Sequence, residues 1–173
     1  MAKIKTGRAI VHFFYRSETT GKTYNSIILG LERVNGKYSL PGGQFDPRKD
    51  TDTLDTALRE LEEEFGLSAS RSSAQKVCTF NGHVCCHDIY VVDATGTLIL
   101  DPNELKGIGF YNAGRHNQIP TSLLERHVQA LNDRYYGTRH QKKNASDIAI
   151  PGYYFEDNNI PDLIDWVTQR DSF

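Results

Sequence analysis

The chain has 173 residues, enough for one domain with a sizeable core, and its 38% hydrophobic and 24% charged residues are those of an ordinary globular protein. A formal net charge of −2 lacks the basic excess that would argue for a nucleic-acid or anionic-membrane partner. No apolar run approaches the ~18 residues of a membrane span, and Met1-Ala2-Lys3-Ile4-Lys5 leads into no signal-like segment, so a cytoplasmic location is expected.

In chain order, Ala9 to Tyr15 and Tyr24 to Glu32 read as β-strands separated by a polar stretch, residues 17–22. Asn35-Gly36 is a tight-turn signal ahead of a strand at Tyr38. Tyr38 to Pro47 then reads as a strand end running into a glycine turn, where Gly42 and Gly43 let the backbone approach a ligand with no Cβ in the way. Asp52, with Asp55 three residues on, predicts a helix N-terminus, and Gly66 suits the left-handed position past its C-terminus. Between them Leu54, Ala57, Leu58, Leu61 and Phe65 recur at helical spacing as a buried stripe. Lys76 to Phe80 and Val84 to Val92 flank Asn81-Gly82, a second hairpin signal. Thr97 to Leu100 and Ile108 to Tyr111 supply two more short strands. A second helix is expected from Ser122, with Glu125 closing a capping box and Leu124, Val128 and Leu131 buried. Near the end, Ile160 to Val167 suggests a short amphipathic helix with Pro161 in its first turn.

The first helix carries the chemistry. Glu60, Glu63 and Glu64 stand at i, i+3 and i+4 and share one stripe beside the apolar face, at the rim of the core. Like charges at this spacing destabilise an isolated helix by about 0.2–0.5 kcal/mol per pair. Arg59 offsets part of that, but a hard divalent cation offsets far more, because Mg²⁺ and Mn²⁺ favour carboxylate oxygens.

The cysteines point elsewhere. Three cysteines without a secretion signal argue against a disulfide framework. Cys78, His83, Cys85, Cys86 and His87 invite a zinc reading, but adjacent Cys85 and Cys86 on a strand point to opposite faces. No Cys-x-x-Cys pair supplies the usual spacing, so a structural role is expected for them.

The stretch from Arg59 to Leu67 (Arg-Glu-Leu-Glu-Glu-Glu-Phe-Gly-Leu, with Leu61 and Leu67 at the apolar positions) resembles the second half of the Nudix hydrolase motif at every defined position. The first half departs from the pattern: Lys49 lies six residues after Gly43 and Thr51 eight before Arg59, where a Glu is expected. Asp50 or Asp52, in a loop two residues longer than the pattern, are the alternatives. The resemblance covers roughly residues 5 to 135. It implies an α/β fold, a Nudix-type α/β/α sandwich around a mixed sheet over residues 1–136; outside the resemblance, a C-terminal helical extension, residues 137–173, packed on the same domain, is expected. The resemblance implies Mg²⁺ or Mn²⁺ held by Glu60, Glu63, Glu64 and the Gly42 carbonyl, with Arg59 orienting the glutamates. The catalytic residues implied are Glu60, Glu63, Arg59 and Glu104, the last from the loop Asp101 to Leu105, and the proton acceptor is one of the three glutamates. The implied activity is metal-dependent pyrophosphatase chemistry on a nucleotide.

Substrate identity is left open. Subfamily signals for ADP-ribose, dinucleoside polyphosphates, NADH or coenzyme A are missing. Gly43, Tyr135 and Arg139 are the expected substrate-binding residues, with Tyr135 stacking a base and Arg139, Lys142 or Lys143 screening phosphates. A solvated loop is the competing reading of residues 135–144. The expected partner is a small-molecule nucleotide, and the C-terminal appendage could pack on the domain, lid the site or pair two copies as a homodimer. A non-catalytic Nudix-fold nucleotide-binding or regulatory module is the alternative function, and hydrolysis of an RNA 5′ end a further one.

Overall fold

A computed structural model of the protein describes residues 2–16, 23–111, 121–131 and 147–149. The strands are β1 (Ile4–Arg16), β2 (Thr23–Glu32), β3 (Tyr38–Ser39), β4 (Gly42–Gln44), β5 (Leu67–Ala69), β6 (Gln75–Asn81), β7 (Cys85–Val92), β8 (Ala94–Thr97), β9 (Leu105–Tyr111) and β10 (Asp147–Ala149). The α-helices are α1 (Thr53–Phe65) and α2 (Arg126–Gln129).

A seven-stranded mixed sheet runs in the order β3-β2-β1-β7-β6, with β4 added on β1 and β9 on β2. Its centre is β1, long enough to serve two sets of neighbours. Its first half pairs parallel with β7, from Ile4 opposite Cys85 to Val11 opposite Val92, and antiparallel with β4. Its second half pairs antiparallel with β2 from His12 opposite Ile27. A smaller three-stranded sheet, β10-β8-β5, includes residues from the C-terminal region.

Side chains alternate across a strand, and the two cores follow that alternation. Ala9, Val11, Ile28 and Val92 bury against Ala57, Leu61 and Phe65 of α1 on one face. Ile10, Ile27, Leu29, Ile89 and Val91 bury against Leu124, Val128 and Leu131 on the other. The sheet is thus covered on both faces, as an α/β sandwich requires. Leu61 and Phe65 are almost fully enclosed, so truncating Leu61 to alanine costs roughly 2–5 kcal/mol.

Several boundaries differ from the sequence expectation. β1 begins at Ile4, five residues before Ala9, because its polar start is held by backbone ladders to β4 and β7 instead of by apolar alternation. β8 lies at Ala94–Thr97, ahead of the expected Thr97 to Leu100. The second helix starts later than Ser122. Residues Thr121–Leu123 form a 3₁₀ turn, Leu124 bridges Tyr38, and the Glu125 N–H donates to the Tyr38 carbonyl at 2.9 Å. The Glu125 carboxylate accepts from Asn35 Nδ2 at 2.7 Å, so it is spent on the turn and no capping box forms. The buried stripe of Leu124, Val128 and Leu131 is as expected. The helix expected over Ile160 to Val167 lies outside the described residues. Among the described residues, no helix is long and apolar enough to cross a membrane.

Candidate active site

α1 is fixed at both ends by the expected caps. Asp52 accepts from the Asp55 N–H at 2.9 Å, and Gly66 adopts the left-handed conformation (φ 70°) while its N–H returns to the Glu62 carbonyl. Asp55 adds a favourable negative charge to the first turn. With the apolar stripe in the core, Glu60, Glu63 and Glu64 reach a cleft of about 820 Å³. The same cleft is lined by Gly42, Gly43, Arg59 and Glu104, so every candidate from the first 131 residues comes together there. Tyr135 and Arg139 lie outside the described residues.

Arg59 organises the acidic wall. Its Nε and Nη2 donate to the two carboxylate oxygens of Asp50 at 2.9 and 3.0 Å, a bidentate pair. Its Nη1 donates to Glu60 Oε1 at 3.0 Å and Glu63 Oε2 at 3.3 Å. Asp50 is almost fully buried and also accepts from Thr56 Oγ1 and the Asp46 N–H. The Arg59 hydrogen bonds, opposed by burial, bring the Asp50 carboxyl down to about 2. The two aspartates of the inserted loop have different partners: Asp50 holds Arg59, whereas Asp52 caps α1 and pairs with Arg71 at 2.7 Å.

The glycine loop fits against these groups. A Cβ on Gly43 would lie 2.7 Å from Glu60 Cδ. At Gly42 (φ 155°) a Cβ would lie 2.2 Å from the Gly7 carbonyl oxygen and 2.8 Å from Arg8 Cδ. Glu64 also lines the cleft and is half-buried. Burial first, then the neighbouring Glu60 carboxylate, push the Glu64 carboxyl up to about 9, with Arg8 opposing and Glu104 adding to the rise.

Among the described residues, no three His, Cys, Asp or Glu side chains form a ready-made metal cage. Glu60 and Glu63 are held by Arg59, and Glu64 keeps its proton against Glu60. The donors nonetheless fit Mg²⁺ or Mn²⁺: all are hard oxygens. A carboxyl that stays protonated above neutral pH beside another carboxylate marks a place where a cation would displace the proton.

Arg8 was not anticipated from the sequence. It sits opposite Gly42 on the β1–β4 ladder and lines the cleft. Its Nη1 donates to the Leu40 carbonyl at 3.0 Å, while its Nε is buried with no hydrogen-bond partner, an arrangement that costs about 1–3 kcal/mol. The only sequence signal was a charged residue leading into an apolar strand. Arg48 and Lys49, from the inserted loop, also line the cleft.

Behind the loop lie two histidines. The Leu40 N–H donates to His127 Nε2 at 3.2 Å, the His87 and His127 rings stand 4.8 Å apart, and Thr6 Oγ1 meets His87 Nδ1 at 2.6 Å. Burial first, then the Arg8 charge, lower His87 to about 4 and His127 well below its ordinary value, so both are neutral at pH 7. Cys78, Cys85 and Cys86 form no disulfide and are half-buried, and Cys78 packs on the second core.

No protein-family model matches the chain, and no curated protein matches it. Solved structures do. A MutT/Nudix family protein from Enterococcus faecalis superposes with a TM-score of 0.53 at 18% identity over 68% of this chain, which spans only 47% of that protein's length. A MutT Nudix hydrolase from Burkholderia pseudomallei gives 0.56 at 18% identity, over 78% of this chain and 98% of its own. The fold is the Nudix fold. An Ap4A hydrolase from C. elegans, solved as a binary complex, agrees with a TM-score of 0.51 at 13% identity, over 78% of this chain and 96% of that one. In this Nudix fold the helix with the three glutamates and the glycine loop form one wall system of the cleft.

Proposed function

We propose that the protein is a Nudix hydrolase of the cytoplasm that cleaves a pyrophosphate bond in a nucleoside triphosphate or in a nucleoside diphosphate linked to another group. The observation that carries this reading is the meeting of Glu60, Glu63 and Glu64 with the Gly42–Gly43 loop in one cleft, with Arg59 and Asp50 holding the acidic wall. Fold likeness to MutT-type and Ap4A-hydrolase structures supports the reaction class.

Glu60, Glu63 and Glu64, with the Gly42 carbonyl, would hold Mg²⁺ or Mn²⁺. When bound, such a cation lowers the pKa of coordinated water and offsets charge on phosphoryl oxygens. The chain's own residues do the rest. Arg59 fixes Glu60 and Glu63 through charge-assisted hydrogen bonds, and Asp50 fixes Arg59. Gly43 lets a phosphate approach the backbone without a Cβ. Glu60, Glu63 or Glu104 takes the proton of the attacking water, which then adds to phosphorus as the phosphoanhydride oxygen leaves. Tyr135 and Arg139, outside the described residues, are the groups proposed to stack on a base and to screen its phosphates.

The test is product release from a panel of nucleoside triphosphates and diphosphate-linked nucleosides with Mg²⁺ or Mn²⁺. Glu63→Gln is expected to lower kcat about 10²–10⁴-fold with the fold intact. Binding of nucleotide without metal-dependent cleavage by the wild type would instead make the protein a Nudix-fold binding module.

A further inference from the structure

Arg8 lines the cleft next to the proposed metal carboxylates, yet its hydrogen bond goes elsewhere, to the Leu40 carbonyl. A guanidinium has five N–H donors. Among the described residues one of them has a protein partner, and the buried Nε has none. The site is built to hold this side chain in place. Gly42 makes room for its stem, since a Cβ there would lie 2.8 Å from Arg8 Cδ. The Leu40 peptide is clamped from both sides, its N–H on His127 Nε2 and its carbonyl on Arg8 Nη1. The imidazoles behind it are neutral, so Arg8 is the cation that β1 brings to the cleft, beside Arg48, Lys49 and Arg59 from the loop and helix.

A residue placed only to neutralise Glu64 would be bonded to it, whereas the hydrogen bond of Arg8 among the described residues goes to the Leu40 carbonyl. We infer that Arg8 is a substrate-binding residue whose guanidinium Nη groups take non-bridging oxygens of a substrate diphosphate, so that one phosphoryl group is gripped by the chain as well as by the proposed metal carboxylates. A planar, permanently charged fork suits this role better than an ammonium does. The inference rests on the phosphoanhydride reading of the cleft and adds to it a recognition group on β1, on an element separate from the glutamate helix.

Calorimetric titration with methylenediphosphonate, whose P–C–P bridge resists hydrolysis, tests it in Mg²⁺ and again in EDTA. Arg8→Met is expected to weaken diphosphonate binding in Mg²⁺ roughly 10–100-fold and Arg8→Lys roughly 10-fold. Neither should lose affinity for Mn²⁺ titrated alone. Wild-type diphosphonate affinity in either folded variant overturns the proposal. So does a parallel loss of Mn²⁺ affinity, which would make Arg8 a support for the carboxylates. If the wild type binds no metal and cleaves nothing, the hydrolase reading fails; diphosphonate binding in EDTA that Arg8→Met abolishes would still uphold the Arg8 site.

Discussion

Arg59–Asp50 and Arg71–Asp52 join the same two side-chain types at the same helix, one pair in the cleft wall and the other at the surface. In the first, the side chains are 19% and 1% exposed; in the second, 51% and 46%. Hydrogen bonds from their arginines, the largest influence on each, hold both aspartates near 2. Their consequences differ because the surroundings differ. Water can replace Arg71 around Asp52, and exposed pairs contribute little. Nothing can replace Arg59 around Asp50, so losing one partner leaves a buried group uncompensated. Only the inner pair also reaches the glutamates.

The comparison can be broken by substitution. Asp50→Ala should cost about 3 kcal/mol in urea unfolding, and it should slow turnover because Arg59 loses its bidentate partner. If instead it matches an exposed-site variant, the inner pair is not structural. The inner pair also has a pH signature. The lowered Asp50 pKa contributes stability that is present above about pH 4 and lost as pH falls through 2, so acid unfolding should be shallower in Asp50→Ala than in wild type.

Glu64 works in the opposite sense. Its pKa is raised, so the unfolded chain ionises there before the folded one, and stability should fall between pH 5 and 9 in EDTA. A fall in Tm across that range is expected, with Glu64→Gln flattening it. Smaller effects belong to the outer pair. Asp52→Ala should cost about 1 kcal/mol through the lost helix cap, and Arg71→Ala should leave the urea midpoint unchanged. A large Arg71 effect would erase the contrast.

What was legible in the sequence follows the same division. α1, its caps and its three glutamates were readable because helical spacing and capping are local. The hairpin turn at Asn35-Gly36 was readable for the same reason: the Gly36 N–H bonds the Glu32 carbonyl and the Glu32 N–H bonds Lys37. The partner of Arg59 was not readable, since Asp50 and Asp52 are two residues apart and only the loop's course sends one inward. Nor was the start of the second helix, because Glu125 is drawn away by Asn35, ninety positions distant. Arg8 escaped notice because its importance depends on Gly42 crossing beside it, a contact set by strand pairing.

The most direct test of the central claim is a calorimetric titration of Mn²⁺ into metal-free protein at pH 7, repeated in two buffers of different ionisation enthalpy to count protons released. A cation that replaces the Glu64 proton should release close to one proton per chain, and Glu64→Gln should release none. Binding of Mn²⁺ with no proton release by the wild type, or no binding at all, would contradict a metal site built on these glutamates.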